Sequence, residues 1–199
     1  MQTVAVDLAV PRPYHWSRQE VERLAELGAF EGVRVELIEG QIVEMSPKGP
    51  PHVVQVIRVR KVLEQMFPTG KFTVRSEAPL ALSDHSAPEP DLVVAIGDDM
   101  DYATAHPTPS QIVLVVEVAD TSLRFDVGAK ADLYAAAGIV DYWVVNAAAG
   151  VVVVLRSPQT NAASPTGHRY AERRDYRPGE QIVTLADGAR PTLVAALLP

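Results

Sequence analysis

The sequence predicts a mixed α/β fold in which helices flank a central β-sheet. Segments rich in β-branched residues, such as "PDLVVAI" and "QIVLVVEV", have the length and composition of buried strands. Helical patterns occur between the strand patterns, which is typical of mixed α/β proteins. The chain has 199 residues, of which 47% are hydrophobic, and this is enough for one domain with a substantial core. We therefore expect a single domain over residues 1–199.

The N-terminal part predicts an extended lead-in, a helix, a hairpin and a second helix. Residues 1–16 contain turn-forming residues and predict the lead-in. Ser17 and Glu20 have the spacing of a capping box and begin the first helix. In the segment "RVELIEGQIVEMSP", apolar and polar residues alternate on both sides of Glu39 and Gly40, a pair suited to a tight hairpin turn. The segment "PPHVVQVIRVRKVLEQMFP" predicts the second helix, because prolines delimit it and its apolar residues recur at helical spacing.

The remainder predicts strands around one further helix. "KFTVRSEAPLAL", "PDLVVAI" and "QIVLVVEV" predict strands, and the last is apolar enough to be covered on both faces. A helix is predicted over 127–137, with Asp126 better explained as its N-cap than as a ligand. "VDYWVVN" and "GVVVVLR" then predict a hairpin. Residues 157–168 are polar and turn-rich, and we expect an exposed loop there. The C-terminal "TLVAALLP" predicts burial in the chain's own core or an interface.

Composition narrows the possible functions. The chain has no cysteine, which excludes disulfides and thiolate zinc sites and favours a cytoplasmic location. No apolar segment approaches the length of a membrane span, so we expect no membrane association. The net charge is −7, so the totals do not indicate a broad basic surface for nucleic-acid phosphates.

Three charged residues occur where apolar ones are expected. Glu117 lies within the strand "IVLVVEV", and an ionised carboxylate there requires a cation or strong hydrogen-bond donors. Lys130 lies on the helix face that is expected to pack on the sheet. Asp91 precedes the strand "LVVAI". Taken singly, these residues have ordinary explanations: a glutamate that reaches solvent or pairs with arginine, a lysine whose head is solvated, and an acid at a strand start.

Taken together, the three residues predict one site. Two carboxylates on neighbouring strands would repel each other unless they bound a hard divalent cation such as Mg²⁺ through oxygen. The lysine would offset their charge and hold a water or a phosphate oxygen. Alanine substitution of Lys130 or Glu117 is expected to abolish metal-dependent activity.

The same residues resemble the PD-(D/E)XK nuclease superfamily, and more closely its Uma-type branch of restriction-endonuclease-like proteins. The similar segments are "VELIEGQIVEMSP", His52 at the start of a helix, "PEPDLVV", and "VVEVADTSLRFDVGAKADLYAAAGIVDYWVVN". They cover residues 30–155, and the last is the most specific. The resemblance implies a restriction-endonuclease-like core, with an N-terminal helix and hairpin, that hydrolyses phosphodiester bonds in DNA with Mg²⁺ or, as a substitute, Mn²⁺.

The resemblance also implies roles for individual residues. Asp91 and Glu117 would be the metal-binding acids, with the backbone carbonyl of Val118 as a further ligand. The superfamily lysine would lie two residues after Glu117, where this chain has Ala119, and Lys130 matches the lysine that the Uma-type pattern places on the following helix.

Two further residues match the pattern less specifically. Glu36 matches an acid near the site, and His52 matches a recurrent histidine, although a solvent-exposed histidine at a helix start explains it as well. Proteins of this fold often act as homodimers. The alternative from another class is a catalytically silent dimeric accessory protein that binds nucleic acid and keeps the nuclease fold.

Overall fold

The computed structural model describes residues 12–199, and this region begins with a helix, a hairpin and a longer helix. These elements are α1 (Arg18–Glu26), β1 (Val35–Ile38), β2 (Gln41–Glu44) and α2 (Pro50–Met66). Ser17 and Glu20 form the predicted capping box. Glu39 and Gly40 have φ angles of 49° and 73°, and these left-handed conformations allow the tight turn of the predicted hairpin. Most of the predicted lead-in lies outside the described residues.

A six-stranded mixed sheet follows and confirms the predicted fold class. Its strands, in both chain order and spatial order, are β3 (Phe72–Ser76), β4 (Leu92–Ile96), β5 (Ile112–Ala119), β6 (Asp141–Asn146), β7 (Val151–Thr160) and β8 (His168–Tyr176). β5 and β6 are parallel, and each other neighbouring pair is antiparallel. The predicted hairpin of β6 and β7 is therefore confirmed.

The crossover between the parallel strands is helical and contains a wider π-helical turn. It consists of α3 (Leu123–Phe125), the π-helical turn (Asp126–Lys130) and α4 (Ala131–Ala136). The prediction that Asp126 is an N-cap is wrong, because the helix begins at Leu123 and Asp126 is buried inside it. Turns of the π type occur often at functional sites. Here it carries both Asp126 and Lys130 into the protein.

Helices cover both faces of the sheet. α2 packs on one face through Val59, Leu63 and Met66, whereas α4 packs on the other through Tyr134 and Ala135. Alternate residues of β5 point to opposite faces: Leu114, Val116 and Val118 join the first core, and Val115 and Ala119 join the second. This alternation directs Glu117 to the face that α4 covers.

The C-terminal segment closes the first core. It contains β9 (Gln181–Ile182), β10 (Thr192–Leu193) and α5 (Val194–Leu197). Val194 and Leu197 are fully buried in the core that α2 forms, so "TLVAALLP" packs within its own chain. Among the described residues, none of the helices has the length and apolar character needed to cross a membrane.

The predicted loop over 157–168 is shorter than expected. β7 continues to Thr160 and pairs there with His168 of β8, so only residues 161–167 connect the strands. The ends of these two strands lie on an outer hairpin and point to solvent, so their residues are polar. This polar composition is why the sequence predicted a loop there. The connection is also not fully exposed, since Ser164 is buried and its hydroxyl donates to Asp132 Oδ2 of α4 at 2.8 Å.

Candidate active site

Asp91 and Glu117 lie next to each other at neighbouring positions of the sheet, where Asp91 precedes β4 and Glu117 lies in β5. Leu92 of β4 pairs with Val116 of β5, so Asp91 and Glu117 form the next pair along these antiparallel strands. The N–H of Asp91 donates to Glu117 Oε2 at 3.2 Å, and the N–H of Val118 donates to Asp91 Oδ2 at 2.8 Å. Both side chains are buried. The structure therefore brings together the two acids that the sequence singles out.

Lys130 joins the same cluster from the π-helical turn. Its Nζ lies 2.9 Å from Glu117 Oε1, and the Tyr134 hydroxyl donates to the same oxygen at 2.9 Å. The Lys130 side chain is only 3% exposed, so its head is not solvated. Burial by itself would lower the pKa of Lys130, but the charges of Glu117 and Glu36 outweigh burial and raise it. Lys130 therefore remains an ammonium, although burial and the charge of Asp91 raise the pKa of Glu117.

Glu36 enters the cluster from the hairpin. It lies in β1, is buried, and its Oε1 is 3.4 Å from Lys130 Nζ. Its other oxygen, Oε2, is buried without a hydrogen-bond partner. Burial raises the pKa of Glu36 to about 7, with the charge of Lys130 opposing the shift and that of Glu117 adding to it. Glu36 is therefore a carboxyl group able to exchange a proton near neutral pH.

Asp91 has two basic neighbours, Lys48 from the connection before α2 and His52 from the first turn of α2. His52 Nε2 lies 3.0 Å from Asp91 Oδ1, and Lys48 Nζ lies 2.6 Å from the same oxygen. The His52 side chain is only 11% exposed, so it does not have the solvent-exposed position that was its alternative explanation. Burial alone would raise the pKa of Asp91, but the hydrogen bond from His52 and the charge of Lys48 lower it to about 2.

Two residues of this cluster, Lys48 and Asp126, were not predicted to belong to the site, and the sequence favours an N-cap role for Asp126. Asp126 accepts a hydrogen bond from the Ser122 hydroxyl at 2.5 Å, and burial together with the charge of Glu117 raises its pKa to about 7. Its spacing of four residues from Lys130 was the available signal, because residues four apart share a helix face. Lys48 gave no periodic signal, since it lies in the connection between β2 and α2.

The cluster lies at a cavity of about 330 Å³ whose lining is rich in acids. Its acidic side chains are Glu36, Glu44, Glu89, Asp91, Glu117, Asp120 and Asp126, and its permanently cationic ones are Arg34, Lys48 and Lys130. Two carboxyl groups with pKa values near 7 and a buried carboxylate oxygen without a partner show that negative charge is poorly compensated there. These features fit a hard cation such as Mg²⁺.

The carboxylates do not form a closed metal site by themselves. Within residues 12–199, no three side chains of His, Asp or Glu are arranged as a complete ligand set. Mg²⁺ usually completes its coordination with water and substrate oxygens, so an open set of carboxylates suits it better than it suits a structural metal. The carbonyl of Val118 as a ligand stays a prediction.

Comparison with known proteins agrees with the geometry. A family model, Uma2, described as "Putative restriction endonuclease", matches residues 18–186. The chain belongs to the Uma2 family. The fold is similar to that of a crystal structure described as a putative nuclease belonging to DUF820 from Anabaena variabilis ATCC 29413. That likeness has a TM-score of 0.60 and 16% sequence identity, and it covers 82% of this chain and 88% of the other. A search of curated proteins returns no match.

In this member of the Uma2 family, the lysine of the site comes from the helix and not from the strand. Ala119 occupies the strand position where the wider superfamily has its lysine, and it belongs to the apolar core under α4. The Lys130 ammonium nevertheless reaches the Glu117 carboxylate. The Uma2 chain thus has two acids, an ammonium and a carboxyl group with a pKa of about 7 around one cavity. Such a set is able to bind a cation, orient a phosphate and transfer a proton.

Proposed function

We propose that this chain is a Mg²⁺-dependent endonuclease that hydrolyses phosphodiester bonds in DNA, with Mn²⁺ as a possible substitute. The observation that supports the proposal most directly is that Glu117, at an acid-rich cavity, accepts hydrogen bonds from both the Asp91 N–H and the Lys130 ammonium. An acid-rich cavity repels a phosphate unless a cation is bound, so the proposal requires a metal.

Asp91 and Glu117 would hold the metal, with the Val118 carbonyl as a further ligand. Bound Mg²⁺ supplies a water of lowered pKa and stabilises the charge that develops on the phosphate oxygens. Tyr134 keeps the Glu117 carboxylate in place through its hydrogen bond. His52 does the same for Asp91 through a contact of 3.0 Å.

Glu36 would accept the proton that the reaction releases, and Lys130 would offset the negative charge that develops. The oxygen of a water molecule attacks phosphorus, and one of its protons passes to the free Oε2 of Glu36. The bond from phosphorus to the leaving oxygen breaks, and that oxygen takes up a proton from solvent to become the product hydroxyl. A base works best when its pKa lies near the working pH, and the pKa of Glu36 is about 7. The Lys130 ammonium offsets the negative charge that the phosphate gains in the transition state.

The proposal is tested by DNA cleavage. Supercoiled, linear and single-stranded DNA is incubated with the protein in Mg²⁺, Mn²⁺ or EDTA. Asp91→Asn, Glu117→Gln and Lys130→Met are assayed in parallel, since these changes remove charge with little change in volume. We expect a loss of at least about 100-fold in each variant. Glu31→Gln serves as the control, because Glu31 is exposed and lies outside the cavity lining. Wild-type cleavage by the three site variants would refute the proposal.

Two observations support the accessory-protein alternative: the net charge of −7, and Ala119 at the position of the superfamily lysine. The contact of 2.9 Å between Lys130 and Glu117 weakens it, because the helix lysine reaches the strand acid. DNA binding without cleavage under every metal condition would favour this alternative.

We also propose that the chain acts as a homodimer. The exposed side of α2 carries the apolar side chains of Val53, Val54 and Ile57, and Val54 is 63% exposed. These residues recur at helical spacing, as in a helix that packs against a partner. Light scattering after gel filtration tests the proposal: we expect a dimer that Val54→Glu converts to a monomer. A monomeric wild-type protein would exclude it.

A further inference from the structure

Lys48 uses the same carboxylate that the proposed metal requires. Its Nζ lies 2.6 Å from Asp91 Oδ1 and 2.7 Å from Glu77 Oε1, and His52 Nε2 lies 3.0 Å from the same Asp91 oxygen. The other oxygen, Asp91 Oδ2, accepts the hydrogen bond from the Val118 N–H. Both oxygens of Asp91 are therefore already engaged with groups of the protein.

An ammonium and a metal ion compete for such an oxygen. Two cations a few ångströms apart repel strongly where the effective dielectric constant is low, and the Asp91 side chain is only 6% exposed. A divalent cation that binds Asp91 would therefore have to displace Lys48 from its close contact. Lys48 is the cation of the cluster best placed to leave, because its side chain is 17% exposed, against 3% for Lys130.

A DNA phosphate at the cavity would give the Lys48 ammonium an alternative binding partner. Lys48 follows β2, lines the cavity and has a flexible side chain, and an ammonium group is a point charge that contacts phosphate oxygens readily. Its second partner, Glu77, has a side chain that is 48% exposed and is therefore a weak competitor for the ammonium. A phosphate at the cavity would offer Lys48 a replacement for the carboxylate of Asp91.

We propose that Lys48 holds Asp91 in a metal-blocked state and releases it to the metal when a DNA phosphate takes up the lysine ammonium. This inference rests on the proposed function, and it adds that DNA and metal bind cooperatively. Cooperativity of this kind is reciprocal, so the factor by which DNA strengthens metal binding equals the factor by which metal strengthens DNA binding. The contact between Lys48 and Asp91 would keep the affinity for metal low in the absence of DNA.

The test compares the wild type with Lys48→Met, which removes the ammonium and keeps much of the side-chain length. Ca²⁺ is the probe, so that DNA is bound without being cut. Isothermal titration measures Ca²⁺ affinity without DNA, and fluorescence anisotropy measures the affinity for a short labelled duplex with and without Ca²⁺. Lys48→Arg keeps the positive charge, and Lys61→Met removes an exposed lysine of α2 as a matched control.

Without DNA, Lys48→Met is expected to bind Ca²⁺ at least about fivefold more tightly than the wild type. In the wild type, Ca²⁺ should strengthen duplex binding by a similar factor, and this gain should disappear in Lys48→Met. Lys48→Arg and Lys61→Met should bind Ca²⁺ as the wild type does.

Three results would overturn the inference, and each can be distinguished from the others. Equal Ca²⁺ affinity in the wild type and Lys48→Met overturns the blocking by Lys48 but leaves the metal site of the proposed function intact. An absence of Ca²⁺ binding in both proteins overturns the inference and the proposed metal site together. The third result is that Lys48→Met binds Ca²⁺ more tightly while Ca²⁺ still strengthens its binding to the duplex. That result would overturn the transfer of the Lys48 ammonium to a DNA phosphate.

Discussion

Replacement of Glu36 by glutamine should stabilise the protein at alkaline pH. The pKa of Glu36 is raised from 4.5 to about 7 by burial, so the folded protein keeps this proton up to about pH 7, whereas the unfolded chain loses it near pH 4.5. The stability that the bound proton contributes is complete below pH 4.5 and is lost as the pH rises to 7. A pKa shift of one unit corresponds to about 1.4 kcal/mol. Ionisation of Glu36 therefore lowers the free energy of unfolding by up to about 3 kcal/mol. Glutamine does not ionise and avoids this cost.

Urea or thermal unfolding between pH 5 and pH 8, in EDTA, measures the effect. Near pH 5 we expect Glu36→Gln and the wild type to be about equally stable, because both side chains are neutral in the folded state. At pH 8 the variant should be more stable by about 1–3 kcal/mol, which is about 2–4 °C of Tm per kcal/mol in a domain of this size. Glu44→Gln, an exposed change in the same hairpin, should not show this pH dependence. A variant that is no more stable than the wild type at pH 8 would refute the reasoning.

Three further predictions concern the other buried charges. Mg²⁺ at about 100 times its Kd should stabilise the wild type by about 2.7 kcal/mol in thermal unfolding, and Asp91→Asn should remove this gain. Lys130→Met should lower the free energy of unfolding by about 3–5 kcal/mol, because Glu117 loses its buried ionic partner. An unchanged urea midpoint would contradict this. Asp141→Ala should destabilise to a similar extent, since Asp141 is fully buried and pairs with Arg156 at 2.8 Å. Asp141→Ala should nevertheless leave metal binding unchanged as measured by titration at low temperature, because this pair lies outside the cavity lining.

Sequence patterns predicted most of the fold because periodicity and turn chemistry are local. The capping box at Ser17 and the hairpin turn at Glu39 depend on residues only a few positions apart, and both have the expected conformation. The predicted loop over 157–168 was too long because residues at the ends of an outer hairpin are polar whether or not they form a strand. Asp126 was misplaced because the helix begins at Leu123, four residues before the predicted start at residue 127.

The sequence by itself predicted that Asp91, Glu117 and Lys130 belong to one site. A carboxylate in an apolar strand and an ammonium on an inward helix face are both costly alone, so their positions in the pattern predict a shared site. Strand alternation and helical spacing then direct both groups to the same side of the sheet.

Only the tertiary structure decided what surrounds this group. Lys48 and Asp91 are 43 residues apart in sequence, and Glu36 and Lys130 are 94 apart, so their contacts depend on how the hairpin and the connection to α2 pack over the sheet. The raised pKa of Glu36 likewise comes from burial by distant segments. Local patterns carry no information about such packing, because it reflects the free energy of the whole core and not that of any one element.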